Sequence, residues 1–89
     1  MSLPVSESVN YNHLTATTTV WTGSGNLVGI FCASVSGGTI KVTDGAAIIA
    51  NTYTPTAGTF IPLPANFGTS LIVTIASTVD CTVFWNNGG

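Results

Sequence analysis

Thr39-Ile40-Lys41-Val42-Thr43-Asp44-Gly45-Ala46-Ala47-Ile48-Ile49-Ala50-Asn51-Thr52 is the stretch that decides the fold. Over residues 39–43 the pattern alternates: Ile40 and Val42 face one way, and Thr39, Lys41 and Thr43 face the other. Successive side chains of a strand point to opposite faces, so this is a strand with one apolar face. Asp44-Gly45 is a strong tight-turn signal, and residues 46–52 read as the returning strand of a hairpin.

The same grammar extends in both directions. Runs rich in β-branched residues alternate with turn signals every 8–12 residues, the rhythm of a sandwich or barrel. Residues 15–21 read as a strand closed by Gly23-Ser24-Gly25, and residues 27–35 as a strand closed by Gly37-Gly38. In the latter, Val28, Ile30 and Cys32 alternate with Leu27, Phe31, Ala33 and Val35, so it is apolar on both faces and must be central or covered outside. Residues 59–63 carry Pro62, with Pro64 following; lacking donors, such a strand sits at an edge or ends there. Phe67, in the turn 65–68, is expected to plug one end of the core. Residues 70–76 place Leu71, Val73 and Ile75 on one face. Residues 79–85 place Val79, Cys81, Val83 and Trp85 on one face, and Asp80, Thr82 and Phe84 on the other.

The expected fold is therefore all-β: one small β-sandwich or jelly-roll-like domain of about seven antiparallel strands. Its body is residues 13–85, preceded by a polar arm, 1–12, without clear period, and followed by a loose tail, 86–89. The expected core is Val28, Ile30, Ile40, Val42, Leu71, Val73, Ile75 and Val83.

Composition supports this and narrows function. The chain has 89 residues, enough for one core, with 45% apolar and only 4% charged residues. Ordinary domains carry about 25% charged residues. Fifteen threonines replace charge on the surface, while the helix formers Gln and Arg are absent. Lys41 is the sole Lys or Arg and the net charge is −2, so nucleic-acid binding by phosphate neutralisation is close to excluded and a polybasic membrane patch is excluded. No apolar run approaches the ~20 residues that span a bilayer. Residues 1–10 lack the basic and apolar regions of a signal peptide, so the expectation is a protein made and used without secretion.

Chemistry has few candidates. His13 is the one histidine, so any Ser-His-Asp arrangement must use it, and no Gly-x-Ser-x-Gly elbow occurs. It reads as a partly exposed residue at a strand start. The acids are Glu7, Asp44 and Asp80; Asp44 and Asp80 read as turn and loop residues. No cluster of His, Cys and Asp suggests a metal. We expect no catalytic residue, no metal ligand and no cofactor. Cys32 and Cys81 lie on apolar strand faces and are either buried free thiols or a disulfide; the missing signal peptide favours the reduced state. Trp21, Trp85, Tyr11 and Tyr53 could form a stacking platform for a sugar, although Trp85 has the parity of the core.

Phe84 is different, because it has the outward parity of Asp80 and Thr82. An outward Phe on a nearly chargeless surface indicates a covered face. The uncharged run 71–76, of high β-propensity, is an aggregation hazard unless it is quickly buried. Few charges also leave sheet edges unprotected. The chain therefore reads as a structural subunit of a symmetric oligomer, with Phe84, Val5, Val9 and Tyr11 as candidate interface residues.

Tyr11-Asn12-His13-Leu14-Thr15-Ala16-Thr17-Thr18-Thr19-Val20, then Gly25-Asn26-Leu27-Val28-Gly29-Ile30, then Gly38-Thr39-Ile40-Lys41-Val42-Thr43-Asp44-Gly45 form a recognisable layout. It closes with Asn66-Phe67-Gly68-Thr69-Ser70-Leu71-Ile72-Val73-Thr74 and Asp80-Cys81-Thr82-Val83-Phe84-Trp85. Over about four-fifths of the chain this resembles small virion proteins of tailed bacteriophages. The resemblance implies a sandwich or jelly-roll-like subunit that decorates or cements the capsid, often as a trimer, with the major capsid protein as partner. It implies a location on the capsid surface after synthesis in the host cytoplasm. The proline-bracketed segment 60–64 and the tail after Trp85 depart from the family pattern and could be attachment devices. The alternatives are a tail, fibre or spike component, or a small carbohydrate-binding module.

Overall fold

A computed structural model describes residues 10–86. The expectations for Val5 and Val9, for most of the arm and for the end of the tail lie outside the described residues. The described residues form six strands: β1 (Asn10–Leu14), β2 (Thr18–Thr22), β3 (Gly25–Asp44), β4 (Ala47–Tyr53), β5 (Thr59–Phe67) and β6 (Ser70–Asn86). All pairings are antiparallel and belong to one sheet. The chain is all-β.

The strand count differs from the expected seven for physical reasons. Residues 27–35 and 39–43 are parts of one 20-residue strand, β3. Residues 70–76 and 79–85 are parts of one 17-residue strand, β6. The glycines and serine between them bend the strands without breaking them. Val35 pairs with Val79, Ser36 and Gly37 both face Thr78, and Thr39 pairs with Ala76, so the ladder continues across a bulge. Gly37 at φ 70° and Ser77 at φ 60° supply the left-handed backbone that turns the corner. The expected strand 15–21 survives as β2, residues 18–22, with residues 15–17 outside any strand, and an additional strand, β1, precedes it. β1 includes residues 10–12, so the arm's expected boundary falls inside a strand. Asn86, assigned to the tail, closes β6.

The corner folds the sheet over. At ~3.3 Å per residue a straight β3 would span about 65 Å, whereas the longest dimension of the molecule is 42 Å. Phe67 pairs with Gly25 at the start of β3. Just beyond it, the backbone N–H groups of Gly68, Thr69 and Ser70 donate to the carboxylate of Asp44 at the end of β3. Both ends of β3 therefore meet at the β5–β6 turn. Two halves result, with strand orders β1-β6-β3-β5 and β2-β6-β3-β4, sharing the two long strands. The described strands thus form one continuous sheet and not the two separate sheets expected of a sandwich.

The core lies between the halves. Leu14, Leu27, Ile30, Cys32, Cys81, Val83 and Trp85 come from one half, and Val20, Ile40, Val42, Leu71 and Val73 from the other. Burying each large aliphatic contributes roughly 1.5–3 kcal/mol. Phe67 closes one end, as expected, against Gly25, where a Cβ would lie 2.7 Å from its ring. Of the expected core residues, Ile75 is only partly buried. Val28 is half-buried because a bulge between Leu27 and Gly29 shifts the register and gives the inward position to Leu27. β5 is an edge strand paired only with β3, in keeping with its two prolines.

The Asp44-Gly45 hairpin forms with its loop one residue later. Asp44 pairs with Ala47, leaving Gly45 and Ala46 as the loop, and Gly45 adopts φ 58°. Asp44 is thus a clamp between β3 and β6 more than a turn former. The Gly68 N–H above all, then that of Thr69, holds its carboxyl below the usual carboxylate value of 3.8. A group whose folded pKa is depressed adds stability above its unfolded pKa and loses it as pH falls through the folded one. Stability should therefore decline as the pH drops below about 4. Asp44→Asn should be less stable at pH 7, with the gap to the parent closing on acidification. Urea melts across pH 2–7 test this; an acid limb unchanged in Asp44→Asn would remove the clamp from the argument.

Candidate assembly surface

Strand parity on β6 sends Asp80, Thr82 and Phe84 to the outer face of the first half, while Val79, Cys81, Val83 and Trp85 are buried. The registers then place two adjacent rows across four strands. Tyr11, Phe84, Gly29 and Pro62 form one row; His13, Thr82, Phe31 and Phe60 form the next. Four aromatic side chains from four strands thus share one face.

Gly29 makes this arrangement possible. The rings of Phe60 and Phe84 lie 6.1 Å apart at 58°, a tilted geometry favoured by aromatic quadrupoles. A Cβ on Gly29 would sit 2.4 Å from the Phe60 ring, so only glycine lets that ring lie over the strand. Tyr11 is 71% exposed, Phe60 47% and Phe31 37%. Phe84 is half-buried, in contact with Phe60.

The structure therefore brings together two of the four expected interface residues, Tyr11 and Phe84. It adds two that sequence reasoning did not select, Phe31 and Phe60. Signals for both were present: Phe31 sits in the strand that read as central or covered on its outer side, and Phe60 in the proline-bracketed segment. What was missing was the β3–β5 register that sets Phe60 opposite Phe31.

His13 and Asp80 meet at the border of this face, Nε2 to Oδ1 at 2.8 Å. Asp80 is thus a strand residue bonded to His13 and not a loop acid. Among the described residues no hydroxyl hydrogen-bonds to the imidazole, and no group of three His, Cys, Asp or Glu side chains gathers.

The four rings of the possible sugar platform do not gather on one exposed face. Trp85 is buried, and its Nε1–H donates to Asn12 Oδ1 at 2.9 Å. Trp21 lies against it with ring centroids 5.0 Å apart and donates to the Ser24 carbonyl. Tyr53 packs on the core with its hydroxyl buried and unpartnered, so burial pushes its pKa up to about 12.

Cys32 and Cys81 face each other across β3 and β6 as buried free thiols. Burial first, then the neighbouring Cys32, pushes Cys81 up to about 11, and burial raises Cys32 as well. The thiolate is the reactive form, so both cysteines should be inert in the folded protein. Titration with a thiol reagent is expected to find neither group under native conditions and both after unfolding without reductant. Rapid native labelling would contradict the burial.

Comparison with protein-family profiles, curated proteins and solved structures finds no match to this chain.

Proposed function

We propose that the protein is a structural subunit that assembles through its outer aromatic face. The observation that carries this is the row pair Tyr11, Phe84, Phe31 and Phe60 on a protein with only 4% charged residues. Aromatic side chains clustered on an open face are the usual anchors of protein interfaces. They gain more from being covered than isolated exposed apolar residues, and closed symmetric assembly is the common way to cover them.

The resemblance to small virion proteins of tailed bacteriophages gives this subunit a setting. On that reading it is a capsid decoration protein that binds the major capsid protein as a homo-oligomer, with a trimer as first choice, and stabilises the head. Nothing in this role needs catalysis or a cofactor. A tail, fibre or spike component would use the same face at lower copy number. A carbohydrate-binding role is less well supported: the rings stand beside Gly29, Pro62 and Thr82, which offer few of the directed polar contacts that orient a sugar.

Light scattering on the purified protein should give a mass several times that of the 9.1 kDa chain. Phe60→Ser, an exposed substitution on an edge strand, should shift the mass to that of the monomer without loss of β-sheet signal. A parent protein that stays monomeric at every concentration would remove the assembly reading. Electron microscopy of phage particles containing the protein tests the setting: a regular array on the head supports decoration, and a few copies at the tail support the alternative. Binding on a glycan array would favour the carbohydrate role.

A further inference from the structure

The register of β1 supplies a phase for the segment before it. Tyr11 is opposite Phe84 and shares the outer aromatic face. Counting back from Tyr11 in steps of two gives Val9, Glu7, Val5 and Leu3; the positions between are Asn10, Ser8, Ser6, Pro4 and Ser2. With this phase, a segment that had no clear period on its own has an apolar side and a polar side when extended, interrupted once by Glu7.

Direction decides where that apolar side can go. β1 runs antiparallel to β6 with Asn10 opposite Trp85, so the N-terminal end of β1 at Asn10 points toward the end of β6 at Asn86. The rows holding Phe84, Phe31 and Phe60 lie behind that end. To cover its own face the segment would have to reverse; to reach a neighbouring molecule it need only continue. Nine extended residues reach up to about 30 Å, against about 15 Å for the width of four strands.

The occupant has the right chemistry. The face is uncharged apart from the His13–Asp80 pair at its border, and it offers rings, Gly29 and Pro62. The segment offers aliphatic side chains and serines. Backbone pairing onto β5 is disfavoured by Pro62 and Pro64, so at this side of the face the contact is made by side chains and not by strand addition. We propose that residues 1–9 of one copy lie across the aromatic face of a second copy, seating Leu3, Val5 and Val9 on Phe31, Phe60 and Phe84. This rests on the assembly reading above and specifies its contact: the exchanged segment covers the exposed rings and links neighbours head to tail into a closed ring.

The test compares the full chain with a variant lacking residues 2–9, by sedimentation and circular dichroism. The variant should keep its β signal and its dissociation constant should rise by about 100-fold or more. Phe60→Ser in the full chain should weaken assembly similarly, and combining the two changes should add little, because both remove one contact. An oligomer that survives the deletion but is lost in Phe60→Ser overturns the segment exchange and leaves the assembly reading standing. A full chain that is monomeric at all concentrations overturns both. A concentration-independent gain in binding of an apolar dye on deletion would mean that the segment covers its own face, which also overturns the exchange. Loss of the β signal on deletion would overturn it by placing the segment within the fold.

Discussion

Gly38→Ala should cost about 3 kcal/mol or prevent folding outright. Gly38 is buried at the corner where β3 and β6 bend together. A Cβ there would lie 2.4 Å from the Thr78 carbonyl oxygen, 2.4 Å from Val79 Cγ2 and 2.8 Å from the Thr78 carbonyl carbon. Two of those atoms are backbone, and Thr78 is held in register by Ser36 and Gly37. The clash can be relieved only by separating the two strands that carry both halves of the sheet. A domain of this size has about 5–15 kcal/mol of stability to lose. Gly37→Ala is the informative control. Gly37 has a φ of 70° but open space around its Cβ direction, so it should show only the conformational cost, about 1 kcal/mol. Urea unfolding of both variants decides the matter; equal losses would mean that crowding at the corner is not what demands glycine at position 38.

That corner also marks where the sequence stopped being legible. Parity within a strand could be read directly: Leu71 and Val73 inward, Cys81, Val83 and Trp85 inward, Phe84 outward. Turn chemistry could be read where glycine or proline had one plausible use, as at Gly45 and on β5. It failed at Gly37-Gly38 and at Ser77, because a residue in the left-handed region can end a strand or bend it, and the choice belongs to the partner strand. β3 and β6 each meet an equivalent irregularity in the other, so the ladder runs through both. The Val28 assignment failed for a related reason: one bulge inverts the parity of everything beyond it.

The candidate surface was legible by halves in the same way. Phe84 stood out through its position between inward residues, and Tyr11 was named only as a residue of the arm, with no register to place it. Phe31 and Phe60 become neighbours only through a pairing between residues 29 positions apart in the chain, and the surface depends on Gly29 to bring Phe60 towards Phe84. A lone exposed Phe is unremarkable on any surface. Four rings in two adjacent rows are a patch, and a patch of that kind exists only once the register is known.

Trp85→Ala should be the other severe substitution, at about 3–5 kcal/mol, the usual cost of removing a buried large aromatic. Trp85 is 5% exposed and belongs to the half formed with β1. Its ring lies 5.0 Å from that of Trp21, which β2 holds opposite Leu71 at the far end of β6. The pair therefore fastens the two ends of one strand across the core. Trp85 also donates its indole N–H to Asn12, the residue between Tyr11 and His13 on β1. Trp85→Phe keeps an aromatic ring but drops that bond, and should cost less than the alanine variant, by about 1–2 kcal/mol. Trp21→Ala, at a position 37% exposed, should also cost less than Trp85→Ala. Urea melts followed by circular dichroism give the ranking, and Trp21→Ala matching Trp85→Ala would show that the pair, not the buried ring, dominates. The assembly consequence is separable from stability. β1 is an edge strand that brings Tyr11 to the aromatic face and leads into residues 1–9, and Asn12 tethers it to Trp85. Trp85→Phe should therefore weaken oligomerisation under conditions where the monomer remains fully folded. If its oligomers matched the parent's in affinity, β1 would be held in place by its backbone ladder alone.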